Sequence, residues 1–113
     1  MKIYFDSDKA WQQLSAKGYV ATLRKLPEAG SQFDIQNVEV WRHGKFTGIS
    51  ALKIYLFTFG AGELDEYFGK DVVSASGFAN SSEWLAEAER LSGKQKDWTL
   101  FFVVVPKPGE VAN

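Results

Sequence analysis

The chain has 113 residues, enough for one domain with a single core, and at 45% hydrophobic and 24% charged it has the composition of a folded protein. Its formal net charge of −1 argues against a general duplex-DNA binder, which needs a positive excess, but leaves room for a local basic patch. With no cysteine and one histidine, disulfides, thiolate zinc sites, cysteine nucleophiles and histidine metal clusters are excluded, and a Ser-His-Asp triad would need His43 itself as its base.

In chain order, Ile3 to Phe5 reads as a short strand. Asp6, Ser7 and Asp8 offer an N-cap and acidic first-turn residues, Ala10, Trp11 and Leu14 form an apolar face, and Lys17 and Gly18 suit a helix end. These signals predict a helix over 8–17. Tyr19 to Arg24 follows as a strand, broken by Pro27-Glu28-Ala29-Gly30-Ser31. Ile35 to Trp41 alternates in part and leads to a hairpin tip at Arg42-His43-Gly44-Lys45, where a turn histidine is simply exposed. The return strand runs from near Phe46 to Phe59, with a bulge or bend near Gly48. Its alternation predicts a core face of Leu52, Ile54 and Leu56 opposite a mixed face of Lys53, Tyr55 and Phe57.

Gly60-Ala61-Gly62 stops that strand, and 63–68 reads as a short helix closed by Gly69. The segment 70–78 reads as a loop, in which only Val72 and Val73 suit brief pairing. Asn80 is a good N-cap with Glu83 three residues on, the spacing of a capping box, and Trp84, Leu85, Ala88 and Leu91 share one helix face while Glu83, Glu87 and Arg90 share another. Gly93 ends this helix. Trp98 to Val105 is continuously apolar, as a buried strand is, until Pro106 and Pro108 end all pairing. The expectation is one domain over 1–105 and a loose tail over 106–113, without repeats, linkers or low-complexity segments. No secretory signal and no apolar run of roughly 20 residues is present, which points to a soluble, cytoplasmic protein with no membrane partner. The order β-α-β-β-β-α-α-β makes this an α+β fold, a small mixed β-barrel with two to three helices packed on it.

The candidate chemistry lies in two segments. Ser76-Gly77-Phe78-Ala79-Asn80-Ser81-Ser82 is a Gly/Ser loop that delivers Glu83 to a first helical turn, and Thr22-Leu23-Arg24 is a polar, cationic strand. If they meet, Glu83 is a proton shuttle, Thr22 a nucleophile given a base, and Arg24 a stabiliser of negative charge. Each also has a plain reading. Glu83 caps its helix, Thr22 suits a strand, Arg24 pairs with Glu28 or Glu83 on the surface, and Phe78 staples Trp84 across a simple turn. Tyr19 either packs or stacks on a base. Lys17, Arg24, Lys25, Arg42 and Lys45 form either a phosphate-binding stripe or a solvated surface. The Gly-containing loops lack P-loop or dinucleotide spacing, so no nucleotide cofactor is implied, nor any other cofactor or metal.

These motifs, taken in order over roughly 8–105, resemble the ASCH domains of the PUA-like superfamily. The resemblance rests on the helix ending in Gly18, the strand Ala21-Thr22-Leu23-Arg24, the turn glycine Gly30, the strand pair Val38-Glu39-Val40-Trp41 and Phe46 to Leu56, Glu63-Leu64, the Ser-Gly-Phe and Glu-Trp-Leu segments at 76–85, and a closing apolar strand. It implies a pseudo-barrel with a cleft between the Thr-x-Arg strand and the glutamate-bearing helix, binding RNA or a modified nucleoside. Some small bacterial members look like amidohydrolases that deacetylate N4-acetylcytidine with a lysine, a threonine and a glutamate. Thr22 and Glu83 match the last two, and Arg24 matches the family's arginine. Tyr19 stands where the lysine belongs, leaving Lys17 as the nearest substitute on that face. The reading is therefore an RNA- or nucleoside-binding cleft lined by Tyr19, Thr22, Arg24, Ser76, Gly77, Phe78 and Glu83. The alternatives are an amidohydrolase or ribonuclease of the same fold, with Thr22, Glu83 and Lys17 as candidate catalytic residues, and a protein-interaction module that uses Trp41 and Tyr55 for a partner or a weak homodimer.

Overall fold

A computed structural model describes residues 1–25, 35–63 and 70–106. In chain order its elements are β1 (Lys2–Tyr4), α1 (Asp8–Lys17), β2 (Tyr19–Lys25), β3 (Ile35–Arg42), β4 (Lys45–Gly60), a 3₁₀ turn (Ala61–Glu63), α2 (Lys70–Ser76), α3 (Ser81–Ser92) and β5 (Asp97–Val104). The strands form one mixed sheet in the order β1-β3-β4-β5-β2, parallel between β1 and β3 and antiparallel elsewhere. This sheet curls into a half-barrel with its two edge strands facing across the open side, a small α+β pseudo-barrel. No helix among the described residues is long and apolar enough to cross a membrane.

Local chemistry sets the boundaries. α1 ends where Gly18 enters the left-handed region at φ 81° and its N–H returns to Leu14 O, and Val105 N then donates to Gly18 O at 2.7 Å. The β3–β4 hairpin turns on His43 and Gly44, both at positive φ, and His43 N is held by Asp6 Oδ1 at 2.9 Å. The irregularity expected near Gly48 is a bulge. Val40 opposes Ile49 and Trp41 opposes Phe46, so Thr47 and Gly48 are extra, with Gly48 at φ 84°. A second irregularity falls between Tyr55 and Phe57.

Two clusters make the core. Inside the curl, Ile3, Phe5, Val20, Val38, Val40, Ala51 and Val103 close on Ala10 and Leu14 of α1. On the outer side of β2 and β5, Ala21, Leu23, Trp98 and Leu100 lie under Val73 of α2 and Trp84 and Ala88 of α3. Trp98 is the largest fully buried side chain.

The structure corrects the sequence in two places. Lys70–Ser76 is a helix, so Val72 and Val73 form no strand pair. Val73 and Ser76 point inward together, a three-residue spacing that a helix provides and a strand does not. The predicted faces of β4 are also exchanged. Leu52 and Ile54 are half-exposed and Leu56 is exposed, while Lys53 and Tyr55 face the inside of the curl, paired in register with buried Val103 and Phe101. The cause is tertiary, because the described helices pack mainly on β2 and not on the outer side of β3 and β4. Most of the helix expected over 63–68, the 27–31 break and the tail beyond Pro106 lie outside the described residues.

Candidate ligand-binding site between the sheet edges

Strand alternation sends Val20, Thr22 and Arg24 to the inner side of β2. Arg24 Nε donates to Thr22 Oγ1 at 3.0 Å, and Nη1 donates to the Tyr4 carbonyl at 2.8 Å across the gap between the sheet edges. Its guanidinium carbon lies 4.9 Å from the centre of the Phe5 ring. Burial pulls the pKa of Arg24 down to about 10, an effect the Asp6 carboxylate partly offsets. The group is still a cation at neutral pH, and its Nη2 has no hydrogen-bond partner among the described residues.

A second cation shares this inner side. Lys53 Nζ lies 4.2 Å from the centre of the Phe101 ring, and Tyr55 meets the same ring edge-on with centroids 5.8 Å apart. Beyond it runs a chain of hydroxyls, with Tyr55 Oη 3.3 Å from Thr58 Oγ1 and Thr58 Oγ1 3.2 Å from Thr99 Oγ1. Burial holds the Lys53 pKa below its ordinary value, and repulsion from Arg24 lowers it further. Among the described residues neither cation forms an ion pair. Two partly dehydrated like charges, with the Asp6 carboxylate offsetting only part of the cost at Arg24, are an arrangement that an anion relieves.

Between β2 and α3 lies a cavity of about 60 Å³, whose lining includes Ser7, Thr22, Arg24, Trp84, Glu87 and Leu91. It has room for a few waters or one small polar group. Ser7 Oγ is buried there and meets no partner at hydrogen-bonding distance, yet it is close enough to Glu87 to help depress that carboxyl. The larger cause of the Glu87 shift is a hydrogen bond from Arg90, with burial opposing it.

Thr22, Arg24 and Phe78 of the predicted site line this cavity, and Glu83 does not. Glu83 lies one helical turn away on the exposed side, 3.5 Å from Lys9 Nζ, and its backbone N–H donates to Asn80 Oδ1 at 2.9 Å. The carboxylate that α3 brings to the cavity is Glu87. Ser76 is fully buried and closes α2, its Oγ donating to Val73 O and accepting from Phe78 N. Gly77, at φ 86°, lets this turn press against α1. Phe78 is buried in one cluster with Trp84. Arg42 is committed to the fold, donating to Phe5 O at 3.0 Å, to Ser7 O at 3.4 Å and to Asp8. Tyr19, 44% exposed, pairs with Val104 on the outer side, and exposed Lys17 and Lys25 stand at the ends of α1 and β2. Tyr55 faces the inside of the curl, edge-on to Phe101.

Comparison of the chain with family models, curated proteins and solved structures finds no match. The residues that the sequence reading missed are Lys53, Phe5, Ser7 and Glu87. A signal existed for Lys53, because a lysine among the apolar residues of a long central strand is an anomaly on any face that the curl encloses.

Proposed function

We propose that the protein binds single-stranded RNA, with the phosphate of one nucleotide held between Arg24 and Lys53. The observation that carries this reading is the pair of cations on the inner side of the curl, neither in an ion pair among the described residues and each set over an aromatic ring. A guanidinium whose Nη2 is unpaired among the described residues suits a phosphate oxygen, and an ammonium adds a second point of charge. Half-buried Tyr55, packed edge-on against buried Phe101, gives the site ring and hydroxyl surface for the sugar and base. The resemblance to ASCH domains supports the same assignment, since its Thr-x-Arg strand is Thr22-Leu23-Arg24. Membership of that family is part of the proposal. The chemistry of the cavity favours binding over amide hydrolysis. Thr22 Oγ1 accepts from Arg24 with no base bonded to it among the described residues, and Glu87 is held ionised by Arg90, which suits it poorly to proton shuttling.

The test is a fluorescence-anisotropy titration of a short labelled RNA at low salt with the wild type, Arg24→Ala and Lys53→Ala. We expect each variant to bind about tenfold more weakly, and log affinity to fall against log salt with a slope near −0.7 per phosphate contact. Wild-type affinity in both variants overturns the reading.

A further inference from the structure

The outer side of β1, β3 and the start of β4 carries three rings in a row. Tyr4 and Trp41 are register partners with ring centroids 6.3 Å apart, and Trp41 and Phe46 are partners across the hairpin with centroids 6.0 Å apart. Alternation explains the row. Ile3 and Val40 are buried inside the curl, so their neighbours Tyr4 and Trp41 face out. Rings that serve packing alone are normally covered, yet Tyr4 is 45% and Phe46 46% exposed. Trp41 Nε1 donates to Glu39 Oε1 at 3.1 Å, which fixes the indole plane.

Charge accompanies the rings. Lys2 Nζ lies 3.9 Å from the centre of the Trp41 ring. The row also begins where the proposed phosphate site ends, because Tyr4 supplies both its first ring and the carbonyl that Arg24 grips. Successive aromatic rings beside a lysine are what a single strand needs, since every base has a stackable face and every nucleotide a phosphate.

We propose that Tyr4, Trp41 and Phe46 form a stacking platform for the bases that flank the nucleotide held at Arg24 and Lys53, so that the ligand is a strand several nucleotides long and not a free nucleoside. This rests on the RNA-binding reading and specifies its partner. Lys2 neutralises a phosphate between the stacked bases.

The experiment compares uridine monophosphate with a short oligouridylate, in the wild type, in Tyr4→Ser/Phe46→Ser and in Arg24→Ala/Lys53→Ala. Tyr4 and Phe46 are exposed, so folding survives their replacement, and circular dichroism checks this. We expect the oligomer to bind the wild type at least tenfold more tightly than the mononucleotide. The ring variant is expected to lose about tenfold or more of oligomer affinity while binding the mononucleotide as the wild type does. Oligomer affinity untouched by the ring variant, or no advantage of oligomer over mononucleotide, overturns the platform and leaves the Arg24–Lys53 site standing. Oligomer binding that depends on the rings but not on Arg24 and Lys53 overturns that site and leaves the platform. No binding of either ligand to the wild type overturns both.

Discussion

Arg24 Nη1 donates to the carbonyl oxygen of Tyr4 at 2.8 Å, so a side chain on one edge of the sheet holds the backbone of the other edge. The half-barrel is thereby bridged on its open side by a charged hydrogen bond and not by a further strand. Replacing Arg24 by alanine removes this bond and the one to Thr22, and we expect a loss of about 1–3 kcal/mol, moderated by relief of the repulsion on Lys53. Urea denaturation is the check. The midpoint should fall with the slope unchanged, and an unaltered midpoint would show that the edges are held by other means.

Lys53 gives the fold a pH dependence of defined sign. Burial and Arg24 hold its pKa below the ordinary 10.5, so the folded state disfavours the protonated form. That penalty is fully present below the folded pKa and is relieved as pH rises from there towards the unfolded value. Lys53→Met should therefore flatten the rise of stability on the approach to pH 10.5. Thermal melts of both proteins over this window test it, and identical pH profiles would count against the placement of Lys53.

Gly77 is where α1 and the turn after α2 touch. A Cβ there would lie 2.6 Å from Lys9 O and 3.0 Å from Gln13 Cβ, at a φ of 86° that other residues seldom adopt. Gly77→Ala should destabilise the protein by about 2 kcal/mol or more, because backbone and contact both oppose it. A melting temperature equal to the wild type's would mean that the turn relaxes freely.

Asn80 and Glu83 separate capping from ligand chemistry. Asn80→Ala removes the acceptor for Glu83 N and should cost about 1 kcal/mol. Glu83→Gln leaves that backbone bond intact and weakens only the exposed contact with Lys9, so stability and RNA affinity should both stay within error of the wild type. A large loss of RNA affinity in Glu83→Gln would return that carboxylate to the binding site.

Much of the scaffold is legible in the sequence because its signals are local. Gly18 ends α1 where a left-handed residue is required, His43-Gly44 turns the hairpin, and Asn80 starts α3. The α2 helix is less legible, since a helix of seven residues is stabilised mainly by what it packs on. The site depends on tertiary placement. Glu83 and Glu87 are one turn apart on the same helix stripe, and only the seating of α3 on the sheet brings Glu87 to the cavity. Lys53 is misread for the same kind of reason. Alternation shows that two faces of β4 differ, but the direction of the sheet's curl decides which one lies inside.

The most direct measurement is an NMR titration of the Lys53 side chain with and without saturating oligouridylate. A phosphate seated between Arg24 and Lys53 replaces repulsion with attraction, so the pKa of Lys53 should rise on binding. A Lys53 pKa that stays depressed while the RNA is demonstrably bound would contradict the account and place the RNA elsewhere on the molecule.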